Sequence, residues 1–410
     1  METEIQPATQ RLLKAFSFMM YGSIAVYSTF FALYLKQMNY SELEIGTLLA
    51  GGPVIAIIAN PIWGYWADRL GDNRRILIMA LVGNFIAMQI IFALHEPVYI
   101  YAALLVFFIF QSPLFTQNNS LILNVIEGTK LKFGSIRMWG SLGWAFTAAG
   151  AGPIIGVLGI HQLWIVFDAM MIAAIGFGFL LPKGKERVHV KDKGISDLSA
   201  MGGFRQVLMK RSFLFLLCLG VVVSVPNSFN NTYNGIYIQE LGGSSSAVGW
   251  SIFATAILEA PVYLLLDRYM PTRPKAMMGC LVVVSALYSV RWLLMGMAES
   301  PVTVIWIQLL HCITFGGYYY IGTQLTMRLV PIHYRSTGQA IYGISWGGLS
   351  GLIAGIAGGS LYNKLGPQVL YQYSAVLTLV GAVGFVFMMK SYARAGQERE
   401  HDTNRKSASI

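Results

Sequence analysis

Charge is what this chain has least of. Asp, Glu, Lys and Arg make up 12% of its 410 residues, about half the ~25% of a soluble globular chain. A deficit of that size over this length excludes an ordinary water-soluble domain and puts most of the chain in lipid. Cysteine is scarce as well. Cys218, Cys280 and Cys312 all lie in apolar runs without metal-ligand spacing, which excludes a disulfide framework and leaves unpaired thiols. There is no G-x-x-x-x-G-K loop to cradle a nucleotide, no H-E-x-x-H, and no compelling serine or cysteine nucleophile pairing. Neither ATP-driven transport by this chain alone nor an intramembrane enzyme is therefore expected, and no cofactor or metal is called for. Alternating polar and apolar residues, the mark of a membrane β-barrel, are absent too.

What is present is a series of about twelve apolar runs, each long enough to cross ~30 Å of hydrocarbon as a helix. They fall near 15–36, 44–67, 76–95, 98–126, 135–158, 161–181, 212–238, 246–268, 274–297, 302–329, 336–361 and 368–390. The expected fold class is an all-α membrane protein of twelve transmembrane helices in two six-helix bundles. No small-residue cleavage site follows the first run, so it is expected to span rather than to be removed. The longest polar interruption, residues 182–211, carries eight Lys and Arg against three Asp and Glu. It divides the chain into an N-terminal bundle, 1–181, and a C-terminal bundle, 212–391. The polar stretch 392–410 is expected to be a disordered tail. Lys and Arg crowd the loops on the linker's side, while the opposite loops carry Lys36 and Lys364 with Glu42, Glu96, Glu240 and Glu299. The basic side is expected to be cytoplasmic, with both termini there. The net charge of +10 is thus a topology signal, and nucleic acid is not an expected partner.

Two short stretches repeat half a chain apart. "GYWADRLGDNRR" follows the second run and "YLLLDRYMPTRPK" the eighth. Both place Asp-Arg at a helix end on the basic side, Asp68-Arg69 and Asp267-Arg268, as duplicated halves would. The first copy matches G-x-x-x-D-R-x-G-x-x-R-R, and the chain therefore resembles the major facilitator superfamily. The resemblance implies that Gly64, Asp68, Arg69, Gly71, Arg74 and Arg75 form a lock between the halves that releases on switching. The second copy lacks both glycines, so its lock is expected to be weaker. The bland alternative is basic residues that only set topology.

Further stretches resemble one branch of that superfamily, the lactose permeases with their oligosaccharide:proton symporter and phenylpropionate permease relatives. "FGSIRMWGSLGWA" is similar to their fifth helix, "SVRWLLMG" to the ninth, "QLLHCITFGGYYY" to the tenth, and Glu259-Ala260-Pro261 to an E-x-P on the eighth. The resemblance implies that Arg137 holds substrate oxygens and that Trp144 stacks on a ring. That chemistry suits a sugar and equally an aromatic carboxylate. The chain also departs from the pattern. The family's fourth-helix acid falls at Asn119, its seventh-helix acids at Asn227 and Asn230, and the acid one turn after the tenth-helix histidine is Thr314. Asn119, Asn227 and Asn230 are candidate substrate contacts, with interhelical glue as the alternative.

Three ionisable residues stand inside apolar runs of the second half: Glu259, Arg291 and His311. Such residues are expensive in lipid and face cavities or one another. At 1.5 Å per residue they sit ~21, ~9 and ~15 Å from the outer side. This is a staircase in which Arg291 can reach His311 and His311 can reach Glu259, with no direct Arg291–Glu259 pair. The three are the expected proton-coupling group, with Glu259 as the main carrier; a structural polar network is the alternative. Asp168 in the sixth run is expected to pair at a helix interface. The leading expectation is a cell-membrane secondary transporter, monomeric, that takes up a sugar or glycoside with protons. The alternatives are symport of an aromatic carboxylate and export of a drug-like amphiphile.

Overall fold

The structure, a computed structural model, describes residues 6–70, 72–94, 96–126, 129, 131, 133–182, 210–331 and 335–407. Gly71, most of the basic linker, and the side chains of Asp68 and Asp267 lie outside what it describes. Among the described residues, eleven helical stretches are long and apolar enough to cross a membrane. The eleventh, Gly338–Arg394, has 57 residues. At 1.5 Å per residue it would reach ~85 Å, far more than one crossing needs. It turns at Gly366, where φ is 80° and Pro367 follows, a backbone state open to glycine and closed to most other residues. That turn makes two spans of it and brings the count to twelve, as the apolar runs predicted.

The spans are α1 (Pro7–Gln37), α2 (Glu42–Leu70), α3 (Asn73–Ala93), α4 (Pro97–Ile126), α5 (Phe133–Leu158), α6 (Leu163–Leu180), α7 (Arg211–Glu240), α8 (Ser245–Ile257 continued by Glu259–Tyr269), α9 (Pro274–Gly296), α10 (Pro301–Leu329), α11 (335–365) and α12 (367–407). Their starts follow familiar capping chemistry. Asp72 accepts from the backbone N–H groups of Arg74 and Arg75, Ser244 caps α8 and Ser300 caps α10, each satisfying donors that a first turn leaves free. The stretch expected to be disordered, from 392, instead continues the α12 backbone as helix to Ser407. Its Ala, Arg, Gln and Glu are good helix formers, and no proline interrupts them.

Four spans are irregular, and proline explains two of them. Pro113 follows the break at Ser112 in α4, and Pro261 follows the break at Leu258 in α8. A proline has no N–H to give the carbonyl four residues back. In α4 that carbonyl, Ile109, is served instead by Trp63 Nε1 at 2.8 Å and Ser112 Oγ at 3.1 Å. Spans α10 and α11 carry wider π-turns at Cys312–Gly316, Ile344–Leu349 and Ala354–Gly358.

Within the first half, α1 packs on α5 and α6 and α3 packs on α4; in the second, α9 packs on α12. The halves meet along α5 with α8, α2 with α11, and α1 with α7. At the Glu42 end the backbones touch. A Cβ on Gly46 would strike the Gly355 carbonyl, one on Gly359 would stand 2.7 Å from the Glu42 carbonyl, and one on Gly152 2.6 Å from that of Ser245. Tyr233 Oη donates across the halves to the Glu42 carbonyl at 3.2 Å. Toward the basic end, Gly64 of α2 and Gly343 and Gly347 of α11 have nothing within 4 Å of a built Cβ. Among the described residues the halves are closed at the Glu42 end, while the three glycine positions toward the basic end stand in open space.

Candidate functional site

A cavity of about 440 Å³ lies between the halves, within the range of small-molecule pockets. Span α5 supplies Arg137, Ser141 and Trp144 to it; α1 and α4 add Tyr21 and Phe115. The facing wall holds Asn230 and Asn231 of α7, Glu259 of α8, and His311 and Phe315 of α10. Of the residues expected at the substrate and proton sites, the fold thus brings five around one space: Arg137 and Trp144 from the first half, opposite Asn230, Glu259 and His311 from the second.

Arg137 is held in place from two sides. Its guanidinium lies 4.3 Å from the centre of the Tyr21 ring, and Nη1 donates to Ser141 Oγ at 3.3 Å, one helical turn on. Among the described residues no carboxylate forms an ion pair with it. Glu259 is the first residue of the lower half of α8, directly after the break that Pro261 imposes. His311 stands just before the first π-turn of α10. Two helix irregularities thus bring the pair to the cavity wall, with His311 Nε2 3.6 Å from Glu259 Oε1. The His311 ring stacks on Phe315, centroids 4.8 Å apart, and its Nδ1 is buried without a partner among the described residues.

Arg291 does not join them. It is 0% exposed and lines no part of the cavity. Its Nη2 donates to Gln308 Oε1, its Nη1 to Thr314 Oγ1 at 3.2 Å, and its guanidinium lies 4.4 Å from the Trp292 ring centre. The expected reach from Arg291 to His311 is not made as a hydrogen bond, because two neutral acceptors on α10 take the guanidinium first. One of them, Thr314, stands where the resemblance would place the acid. The other, Gln308, was not singled out from the sequence. It donates in turn to Asn230 Oδ1 at 3.0 Å and Asn234 Oδ1 at 2.7 Å. Its neutral amide carries no signal in the sequence beyond lying three residues before His311.

The remaining candidates fall elsewhere. Asn227 is buried behind the wall, where its Oδ1 accepts from Tyr288 Oη at 3.4 Å. Asn119 is also outside the lining, with a buried Oδ1 that no described protein group reaches. In the switch loop, Arg74 donates to the Phe179 carbonyl in the last turn of α6, and Arg75 pairs with Asp72 at 3.2 Å. Both bonds stay within the first half. Arg69 is exposed, and Arg268 lies over the ring of its neighbour Tyr269 at 5.6 Å. Asp168 accepts from Gln89 Nε2 of α3 at 2.6 Å, an interface pairing.

Comparison with known proteins adds to this geometry. A family model described as "MFS_1 like family" matches residues 11–373. The chain is 24% identical to the maltose permease of Geobacillus stearothermophilus, over 96% of this chain and 98% of that one. It is 23% identical to the "Probable 3-phenylpropionic acid transporter" of Escherichia coli K12, over 88% of this chain and 93% of that one. Among solved structures, the nucleoside transporter NupG superposes with a TM-score of 0.74 at 16% identity, covering 93% of this chain and 99% of that one.

Proposed function

Since the chain belongs to the MFS_1 like family and is a membrane transporter rather than an enzyme, we propose that it takes up a sugar or small glycoside together with protons by alternating access. The observation that carries this reading is the pairing across one cavity of Arg137 and Trp144 from the first half with Glu259 and His311 from the second. A forked donor beside an indole suits a hydroxylated ring, whose oxygens meet the guanidinium and whose apolar face meets the aromatic. A permease for maltose among the relatives points the same way.

In this mechanism a substrate bound between the walls touches both halves, so their rocking moves it from one side of the membrane to the other. Glu259 is the proton carrier. With a proton its carboxyl is neutral beside His311. Without one it presents a negative charge to a cavity whose other wall holds Arg137, the cation whose field reaches it. Substrate seated between Arg137 and Glu259 ties the proton step to occupancy. The basic end is the cytoplasmic one, with both termini there, so the closed Glu42 end faces outside and the form described here opens inward. The bundles 1–181 and 212–391 are the two rocking units, joined by the 182–211 linker. The protein acts as a monomer in the cell membrane, and the switch residues Gly64, Asp68, Arg69, Gly71, Arg74, Arg75, Asp267 and Arg268 engage when the inner end closes.

A second reading, symport of an aromatic carboxylate, is favoured by the absence of an ion-pair partner for Arg137 among the described residues and by the rings of Tyr21, Phe115 and Phe315 in the lining. The test is substrate-evoked charge movement in proteoliposomes, screened over maltose, simple glycosides and 3-phenylpropionate, with wild type beside Glu259→Gln. The expected result is a current for one class that vanishes in the variant while substrate exchange persists. Accumulation against a gradient by Glu259→Gln refutes Glu259 as the carrier.

A further inference from the structure

A guanidinium can only donate hydrogen bonds. This simple limit fixes the direction of a chain of bonds that begins at Arg291 and ends at the cavity. The atom of Gln308 that meets Arg291 must be its carbonyl oxygen. The other end of that amide, which reaches α7, must then be its N–H₂. The atoms it meets must be the carbonyl oxygens of Asn230 and Asn234. Asn230 Oδ1 also accepts from Tyr371 Oη at 3.2 Å. Asn234 uses its own amide nitrogen by donating Nδ2 to Ser251 Oγ at 2.9 Å. For Asn230 no such partner for the amide nitrogen exists among the described residues, and Asn230 lines the cavity. The group it has left to show there is an N–H₂.

We infer that Gln308 is a positioning residue that converts the buried charge of Arg291 into a fixed donor at the cavity wall, so that the transported molecule must present an acceptor oxygen to Asn230. The acceptor is a hydroxyl or ring oxygen, a carbonyl or a carboxylate; an ammonium or other donor-only group is rejected there. The donor is held by every link. Turning the Asn230 amide over would set its N–H₂ against the N–H₂ of Gln308, which can only donate, even though the Tyr371 hydroxyl could turn to accept. Turning Gln308 over would set N–H₂ against Arg291, and each misfit leaves buried polar groups unpaired. Gln308 is 0% exposed, so water offers no easy substitute. The inference rests on the reading of this cavity as the transport site, and it gives Arg291 a role without contact to either substrate or proton carrier.

The test compares full-length Asn230→Asp, Gln308→Glu and Asn230→Leu with wild type, by melting in detergent and by calorimetric binding of maltose, methyl α-glucoside and 3-phenylpropionate. Asn230→Asp keeps both acceptor roles, toward Gln308 and Tyr371, and loses the donor. It should melt with wild type yet bind the preferred probe at least about tenfold more weakly, or ~1.4 kcal/mol. Gln308→Glu still accepts from Arg291 but cannot serve both asparagines. It should weaken calorimetric binding of the same probe by a similar factor. A merely structural network predicts instead that melting and affinity fall together. Wild-type affinity in Asn230→Asp overturns the inference. If wild type binds none of the probes, the substrate class proposed above has failed, and the ligand-free melts still decide. Asn230→Asp melting with wild type and above Asn230→Leu supports the bond direction; Asn230→Asp melting as low as Asn230→Leu overturns it.

Discussion

A buried arginine with no carboxylate is costly, and Arg291 shows how such a residue is tolerated. Charge-assisted hydrogen bonds contribute roughly 1.5–3 kcal/mol each, and a desolvated cation–π contact about 2. Gln308, Thr314 and the Trp292 face supply two of the first kind and one of the second. Arg137, at the cavity, is a different case: it stacks on the Tyr21 ring and donates one arm to Ser141. Lysine keeps the charge but loses the planar stack and the fork. Arg137→Lys should therefore weaken substrate binding by about tenfold or more with little change in melting temperature, as measured by calorimetry beside a thermal melt. At this scale the sequence was legible where residues carry charge. Arg137, Trp144, Glu259 and His311 stand out in apolar runs, and all four line the cavity. Gln308 did not stand out, because a neutral amide on a helix face announces nothing until its partners on α7 and α9 are in place.

At the scale of the helix, the irregularities do as much as the side chains. The break at Leu258 exists because Pro261 denies the Ile257 carbonyl its usual partner, and Glu259 begins the lower half of α8 at that point. Proline inside a helix costs ~3 kcal/mol. Pro261→Ala should accordingly raise thermal stability while turning Glu259 away from His311. The expected readout is a higher melting temperature together with a loss of proton-driven accumulation, and normal accumulation in a straightened helix would count against the positioning of Glu259 by the break. Pro113 and Pro261 are both visible in the sequence, but only Pro261 enters a motif there, the E-x-P of the eighth run. The π-turns of α10 and α11, at Cys312–Gly316, Ile344–Leu349 and Ala354–Gly358, have no proline or other single-residue mark in the sequence.

For the molecule as a whole, apolar length alone predicted twelve crossings, and Gly366-Pro367 marks the one place where two of them run together. What length could not predict is which end is closed. That depends on backbone contacts between distant glycines, Gly46 with Gly355 above all. A side chain at Gly355 has no room in this form. Gly355→Leu should push the Glu42 end apart and bring the basic ends together. Spin labels on Gly64→Cys and Gly343→Cys, two positions with open space around them, should report a shorter distance in that background than in its absence; an unchanged distance would mean that the two ends are not coupled.

The bonds at the closed end have one more property. Among the described residues its one ion pair, Lys36 with Glu42, stays inside the first half, and the Tyr362–Glu240 bond, 2.9 Å long, stays inside the second. The described contacts that cross between the halves there are neutral: glycine backbone against backbone and a tyrosine hydroxyl on a carbonyl. Across the same seam the charges of Lys36 and Glu42 act on the Glu240 carboxyl only through space, and dissolved salt, with a Debye length of ~8 Å at physiological strength, screens only that part of the contact. Raising ionic strength should therefore loosen the closed end little, because the described contacts that hold it are backbone approaches and one tyrosine hydroxyl.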